Sequence, residues 1–182
     1  MFFRKTDPRR TRFGRRPWAG LVLAAFGAII ASALYVAHLP IAPITVAGLT
    51  RVIDGDSLMV GGTEIRLYGI DAPELNQRCR RDGRDVSCGK EASRQLVALI
   101  AGQVVTCERR DVDRYSRTVA VCRAGGVDLG QSMVAAGHAV AFGAYGREES
   151  SARAELKGIW AGDFMRPRDW RDRERQRYGQ GL

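Results

Sequence analysis

Three short segments of this 182-residue chain concentrate carboxylates and arginines. They are Asp54-Gly55-Asp56-Ser57, Arg66-Leu67-Tyr68-Gly69-Ile70-Asp71-Ala72-Pro73-Glu74 and Asp113-Arg114-Tyr115-Ser116-Arg117. Asp56 and Asp71 offer two hard carboxylate oxygens and the Ala72 backbone carbonyl a third, a donor set suited to Ca2+ with waters completing the shell. Glu74 follows Pro73, which fixes the local backbone, and can act as general base toward a water. Arg66 and Arg117 carry planar, permanently charged forks that match a phosphate. An activated water, a cation, and donors for the charge growing on phosphoryl oxygens are the parts that phosphodiester hydrolysis needs. Taken singly, each segment has an ordinary reading: a hairpin turn, a solvated strand arginine, a proline-terminated strand, a polar loop. Those readings give no reason for their joint presence.

The elements that must position these residues follow from periodicity. Residues 41–49 read as a first strand, and 51–53 and 57–60 as strand runs flanking the Asp54-Gly55-Asp56 turn. Gly61-Gly62 makes the next turn. Residues 63–70 alternate, with Ile65 and Leu67 on one face and Arg66 and Tyr68 on the other; Pro73 breaks the run. A helix is expected over 89–101, where Ala92, Leu96, Leu99 and Ile100 recur at helical spacing before Gly102 stops it. Strands at 103–109 and 118–123 flank a polar loop at 110–117. Asp128 caps a short helix reaching Ala136, residues 139–142 form a short strand, and 147–157 a further amphipathic helix. From Met165 the chain reads as an arginine-rich tail with Trp170 and Tyr178 as possible anchors. The expected fold class is mainly β with helices (α+β), a five-stranded Greek-key barrel of the OB type carrying about three helices. A ferredoxin-like sandwich fits the same pattern of elements.

A composition of 45% hydrophobic and 27% charged residues excludes a disordered chain, and the length allows one ordinary domain with a real core. The net charge of +9 suggests an electrostatic footprint for nucleic acid. Its distribution argues otherwise: residues 1–16 carry +6, residues 165–182 carry +3, and the stretch between them nets zero. The basic N-terminal block precedes an uncharged run over 18–37, long enough as a helix to span roughly 30 Å of hydrocarbon. The positive-inside rule puts residues 1–16 in the cytoplasm and the following domain across the membrane. Two readings stay open here, an uncleaved signal anchor over 17–38 or a signal peptide cleaved after Ala33 in Ala31-Ser32-Ala33. Four cysteines in an exported chain read as disulfides. The expected pairs are Cys79–Cys88, across an Arg- and Asp-rich loop centred on Gly83, and Cys107–Cys122, between two facing strands. Each contributes roughly 2–3 kcal/mol in the chain-entropy model. No Cys-x-x-Cys pair suggests zinc.

Over residues 45–162 the ordered set of three segments resembles the thermonuclease family, also called staphylococcal-nuclease-like. The resemblance implies an OB barrel with three helices and Ca2+-dependent cleavage of single-stranded or open DNA and RNA. It implies metal ligation by Asp56, Asp71 and the Ala72 carbonyl, catalysis by Arg66, Glu74 and Arg117, and a nucleotide pocket with Tyr115 and Tyr145. The chain departs from the family pattern where Ser116 replaces the usual glycine before the second arginine, and where a further tyrosine near Gly143 is absent, with Phe142 adjacent. The cysteines and the ending Gly158-Ile159-Trp160…Arg168-Asp169-Trp170-Arg171 look like an envelope-exported bacterial branch of the family.

The resulting expectation is a basic tail 1–16, an anchor or signal peptide 17–38, a linker 39–44, a thermonuclease-like domain 45–162 and a basic tail 163–182. It would be a monomer held in the inner membrane through residues 18–37, with the domain on the periplasmic or extracellular side, or secreted after cleavage. The competing reading is a non-catalytic, membrane-anchored OB-fold module that binds a polymer or protein partner. That reading leaves Asp56, Arg66, Asp71, Glu74 and Arg117 unexplained as a set.

Overall fold

Alternating side chains build the sheet that carries these residues, in a computed structural model that describes residues 45–179. The first half holds β1 (Thr45–Gly48), β2 (Thr50–Val52), β3 (Ser57–Val60), β4 (Thr63–Leu67), β5 (Ile70–Asp71), β6 (Cys79–Arg81), β7 (Arg84–Val86) and α1 (Cys88–Ile100). The second holds β8 (Val105–Val112), β9 (Thr118–Ala124), β10 (Val127–Asp128), α2 (Leu129–Ala135), β11 (Val140–Ala141), α3 (Gly146–Ala154), a short 3-10 helix (Gly158–Ala161) and α4 (Pro167–Gly179). The main sheet runs β1-β8-β9-β4-β3-β2, with β10 on β9. Its pairs are antiparallel except β4 with β9. Only Leu49 separates β1 from β2, so one bent strand pairs with β8 at one end and β3 at the other, and the path closes on itself. This α+β arrangement, sheet-rich with four helices among the described residues, is consistent with an OB-like fold.

Closure puts the apolar faces together. Ile65 and Leu67 of β4 are buried while Tyr68 is exposed, as the alternation requires. They pack with Leu58, Val105 and Leu129, and Ala92, Leu96 and Ile100 of α1 cover them with the expected helical stripe. Both expected disulfides are formed, Cys79–Cys88 and Cys107–Cys122, the latter joining directly opposed residues of β8 and β9.

Several elements differ from the sequence expectation. The strand expected over 63–70 breaks after Leu67. Gly69 turns the chain at φ 79°, where an added Cβ would lie 2.5 Å from the Ala144 Cβ. Residues beyond it leave the main sheet, and β5 pairs with β11 instead, Asp71 opposite Val140. The loop expected around Gly83 is a hairpin, β6 with β7, turned by Asp82 and Gly83 at φ 51° and 73°. The polar loop after β8 is shorter than expected, because β8 runs on to Val112 past an irregularity between Arg109 and Asp111. The expected tail from Met165 contains a 13-residue helix, α4. The anchor or signal expectation over 17–38 lies outside the described residues. Among those described, no helix is long and apolar enough to cross a membrane.

Candidate active site

The turn between β2 and β3 aims Asp56 inward. Asp54 Oδ1 accepts the Asp56 N–H at 3.0 Å, a local side-chain turn typical of aspartate. Asp56 is 3% exposed and fully engaged: Oδ1 accepts from Ser57 Oγ and Arg66 Nη1, each at 3.0 Å, and Oδ2 from the Ala72 N–H at 3.0 Å. Arg66, projecting from β4, reaches on to Asp71 Oδ1 at 2.9 Å, so one guanidinium joins both carboxylates. Burial pushes the Asp56 carboxyl up to about 6 against the pull of Arg66, with Asp54 and Asp71 adding to the rise. Burial also works against the Arg66 charge, but Asp56 and Asp71 outweigh it and hold that group above its ordinary value.

Glu74 is positioned through its backbone. Its N–H donates to Gln77 Oε1 at 3.2 Å, and its carbonyl accepts the Gln77 N–H at 2.7 Å. Gln77 is fully buried and its Nε2 donates to the Met165 carbonyl at 2.6 Å. From the other side Gly89, at the start of α1, lies so close that an added Cβ would sit 1.8 Å from the Glu74 carbonyl oxygen. Gln77 was missed by sequence reasoning, since a glutamine three residues after a glutamate carries no signature of its own.

Arg117 leaves the β8–β9 turn, which Asp113 organises. Asp113 Oδ1 accepts the N–H groups of Tyr115 and Arg117 at 2.8 and 3.0 Å. Its Oδ2 accepts Arg117 Nε at 2.8 Å and Nη2 at 2.7 Å. Slight desolvation raises the Asp113 carboxyl, but these bonds from Arg117 and Tyr115 prevail and hold it below its usual value. Ser116 takes φ 64°, the left-handed conformation that a glycine adopts freely. The guanidinium groups of Arg114 and Arg117 lie over the Tyr115 ring, 4.8 and 5.5 Å from its centre.

Arg66, Glu74, Tyr115 and Arg117 line one cavity of about 640 Å³, together with Phe142 and Arg171. Asp71 lines the adjoining cavity, and Asp56 lies buried behind Arg66. Arg171 of α4 is the second residue that sequence reasoning missed. Its Nη1 donates to Asp71 Oδ1 at 2.9 Å and Glu74 Oε1 at 2.7 Å, and its Nη2 to Asp71 Oδ2 at 3.1 Å. The structure sets Tyr145 apart from the cavity lining. Its ring packs over Gly69 and Gly130 and its hydroxyl donates to Asp128 at 3.1 Å. Burial, reinforced by Asp128, pushes that hydroxyl up to about 12. Phe142 stands in the cavity wall instead, its N–H bonded to the Gly69 carbonyl at 2.8 Å.

Among the described residues no group of three or more His, Cys, Asp or Glu side chains forms a metal cage. Asp56 and Asp71 nonetheless present hard oxygens, both nearly buried, that converge on a single cationic group. That chemistry fits a cation such as Ca2+ that keeps several waters, and not a closed zinc site.

The family model described as staphylococcal nuclease homologue matches residues 64–162, which run from β4 through the 3-10 helix and stop short of α4. The succinoglycan biosynthesis protein ExoI of Rhizobium meliloti is 36% identical over 142 residues, 74% of this chain and 74% of that protein. The micrococcal nuclease of Shigella flexneri is 29% identical over 171 residues, 82% of this chain and 93% of that protein. A probable staphylococcal-like nuclease of Oryza sativa is 34% identical over 129 residues, 67% of this chain but only 24% of that longer protein. With more than half of its length matched by the family model, the chain belongs to the staphylococcal nuclease homologue family.

Proposed function

We propose that the protein is a Ca2+-dependent nuclease that hydrolyses phosphodiester bonds of single-stranded or open DNA and RNA outside the cytoplasmic membrane. The observation that carries this reading is the meeting of Glu74, Arg66 and Arg117 in one cavity beside the Asp56–Asp71 pair. Family membership and the name of the Shigella flexneri relative support a hydrolase acting on nucleic acid. The pairing of all four cysteines supports an oxidising compartment.

On this reading Asp56, Asp71 and the Ala72 carbonyl would hold Ca2+, which when bound would supply Lewis-acid charge for the hydrolysis. Glu74 takes a proton from that water as the new oxygen–phosphorus bond forms. Arg66 and Arg117 donate to the non-bridging oxygens, where negative charge grows. The bond from phosphorus to the leaving oxygen breaks, and that oxygen takes a proton from solvent. Tyr115, largely exposed beside Arg117, offers a ring face to the nucleotide. Tyr145 orders the Gly69 turn that precedes Asp71.

The test is incubation of the full-length protein with denatured DNA in Ca2+ and in EDTA. Shortened strands in Ca2+ alone are expected. Full cleavage in excess EDTA removes the metal role, and intact strands in both leave a binding module.

A further inference from the structure

The C-terminal helix lies outside the stretch matched by the family model, yet it is stitched to the candidate site along its approach. Asp163 and Arg80 exchange two backbone hydrogen bonds of 2.8 Å, and Gln77 bonds the Met165 carbonyl. Arg166 pairs with the buried Glu149 at 3.0 Å. Arg171 then seats itself on Asp71 and Glu74. These ties set one face of α4 along a second cavity of about 300 Å³, walled by Arg66, Arg114, Phe142, Arg168, Arg171 and Arg175. At about 100° per residue, Arg168, Arg171 and Arg175 fall within roughly 60° of one another, and Arg173 and Arg177 point the other way. The only acids in that wall are Asp71 and Asp172, the latter paired with Arg175. Among the described residues no ion pair engages Arg114 or Arg168. Asp56 and Glu74 also pair with Arg66 and Arg171 from outside this wall, so five arginines meet four carboxylates and the groove keeps a positive excess at Arg114 and Arg168. The groove opens into the main cavity, since Arg66, Arg114, Phe142 and Arg171 line both.

We propose that this groove is a phosphate track, in which Arg168 and Arg175 of α4, with Arg114 opposite, hold the backbone of a single nucleic-acid strand beyond the phosphate at Arg66 and Arg117. The span from Arg168 to Arg175 is about 10 Å along the helix, longer than one phosphate group. Arginine forks suit phosphate oxygens, and a track of them binds backbone without reading sequence. Arg171, midway along the track, is shared between the carboxylates and the groove, so a strand phosphate arriving there draws its guanidinium from Glu74. The inference rests on the nuclease reading only for placing the track beside a cleaved bond.

The experiment titrates full-length protein in EDTA, where the proposed nuclease leaves the strand intact, with a labelled single-stranded oligodeoxythymidylate over a range of salt. The Arg168→Gln/Arg175→Gln variant is expected to bind roughly tenfold more weakly and to flatten the log K against log salt slope by about 1.4, because each single-strand phosphate contact contributes about 0.7. Arg168→Lys/Arg175→Lys keeps most of the slope, and Arg173→Gln/Arg177→Gln, which removes equal charge from the opposite face, changes neither quantity. An unchanged slope in the first variant, or an equal loss in the opposite-face variant, overturns the track. Cleavage in Ca2+ is scored separately. Arg168- and Arg175-dependent binding without cleavage sinks the nuclease reading and keeps the track, and cleavage without that dependence does the reverse.

Discussion

Glu74 and Asp56 occupy opposite extremes of environment in one small site. Glu74 is partly open to the cavity and bonded to Arg171, so Glu74→Gln keeps an acceptor for that bond but loses the ability to take a proton. The variant is expected to fold with unchanged thermal stability and to lose roughly 10²–10⁴ in kcat; parallel melting and cleavage assays check it, and near-wild-type rates remove Glu74 as base. Asp56 is nearly sealed from solvent and pushed up to about 6, chiefly by burial. A raised carboxyl holds its proton more tightly in the folded state, so its stabilisation is full below about 3.8 and fades as pH rises through about 6. In EDTA the wild type should therefore lose stability from pH 4 to 7 relative to Asp56→Asn, read as a wild-type melting temperature that falls against that of the variant over this range. If Asp56 is a ligand, added Ca2+ favours the ionised form and stabilises most at the upper end of that range. These carboxylates were legible in the sequence because their segments are short and ordered. Arg171 was not, because it meets Glu74 from 97 residues away. Ser116 was legible as a departure, and its φ of 64° gives the physical reason a glycine is the usual occupant.

At the scale of elements, what repeats could be read and what is held by isolated polar ties could not. The alternation of β4 and the apolar stripe of α1 both bury a periodic face, and both were found where expected. The β6–β7 hairpin carries Asp82-Gly83, a strong turn signal, but its flanking strands read Cys-Arg-Arg and Arg-Asp-Val, with little apolar alternation to mark them. α4 buries only Pro167 and docks through hydrogen bonds and ion pairs, which periodicity does not register. The start of α1 bears directly on the site, because Gly89 abuts the backbone of Glu74. Gly89→Ala would force a methyl into the Glu74 carbonyl and move either the helix or the base. We expect about 1–3 kcal/mol of destabilisation and a fall in kcat larger than the fall in stability explains. A Gly89→Ala protein that cleaves at the wild-type rate would show that the contact between α1 and Glu74 is not what positions the base.

Across the whole molecule, the net charge of +9 resolves into separate parts. The N-terminal +6 lies outside the described residues, and the C-terminal +3 belongs largely to a helix fixed against the candidate site. The two disulfides divide in the same way between general and local duty. Cys107–Cys122 cross-links core residues of β8 and β9, neither of which adjoins Glu74 or Gly89 in the chain. Its 15-residue separation gives about 3 kcal/mol in the chain-entropy model. Cys79–Cys88, with a separation of 9, gives a little less, about 2.5 kcal/mol. It also ties the first residue of α1 to the β6–β7 hairpin, one residue from Gly89 and one from the Arg80–Asp163 pair that leads to α4. Replacing each pair by alanine should therefore separate the two duties. Cys107→Ala/Cys122→Ala is expected to lower the unfolding free energy by about 3 kcal/mol and to leave kcat near wild type at temperatures where it stays folded. Cys79→Ala/Cys88→Ala should lose slightly less stability but several-fold in kcat, because it loosens both walls that hold Glu74. Denaturant unfolding and Ca2+-dependent cleavage on the same samples make the comparison, and equal kcat in the two variants would show that the Cys79–Cys88 bridge serves stability alone.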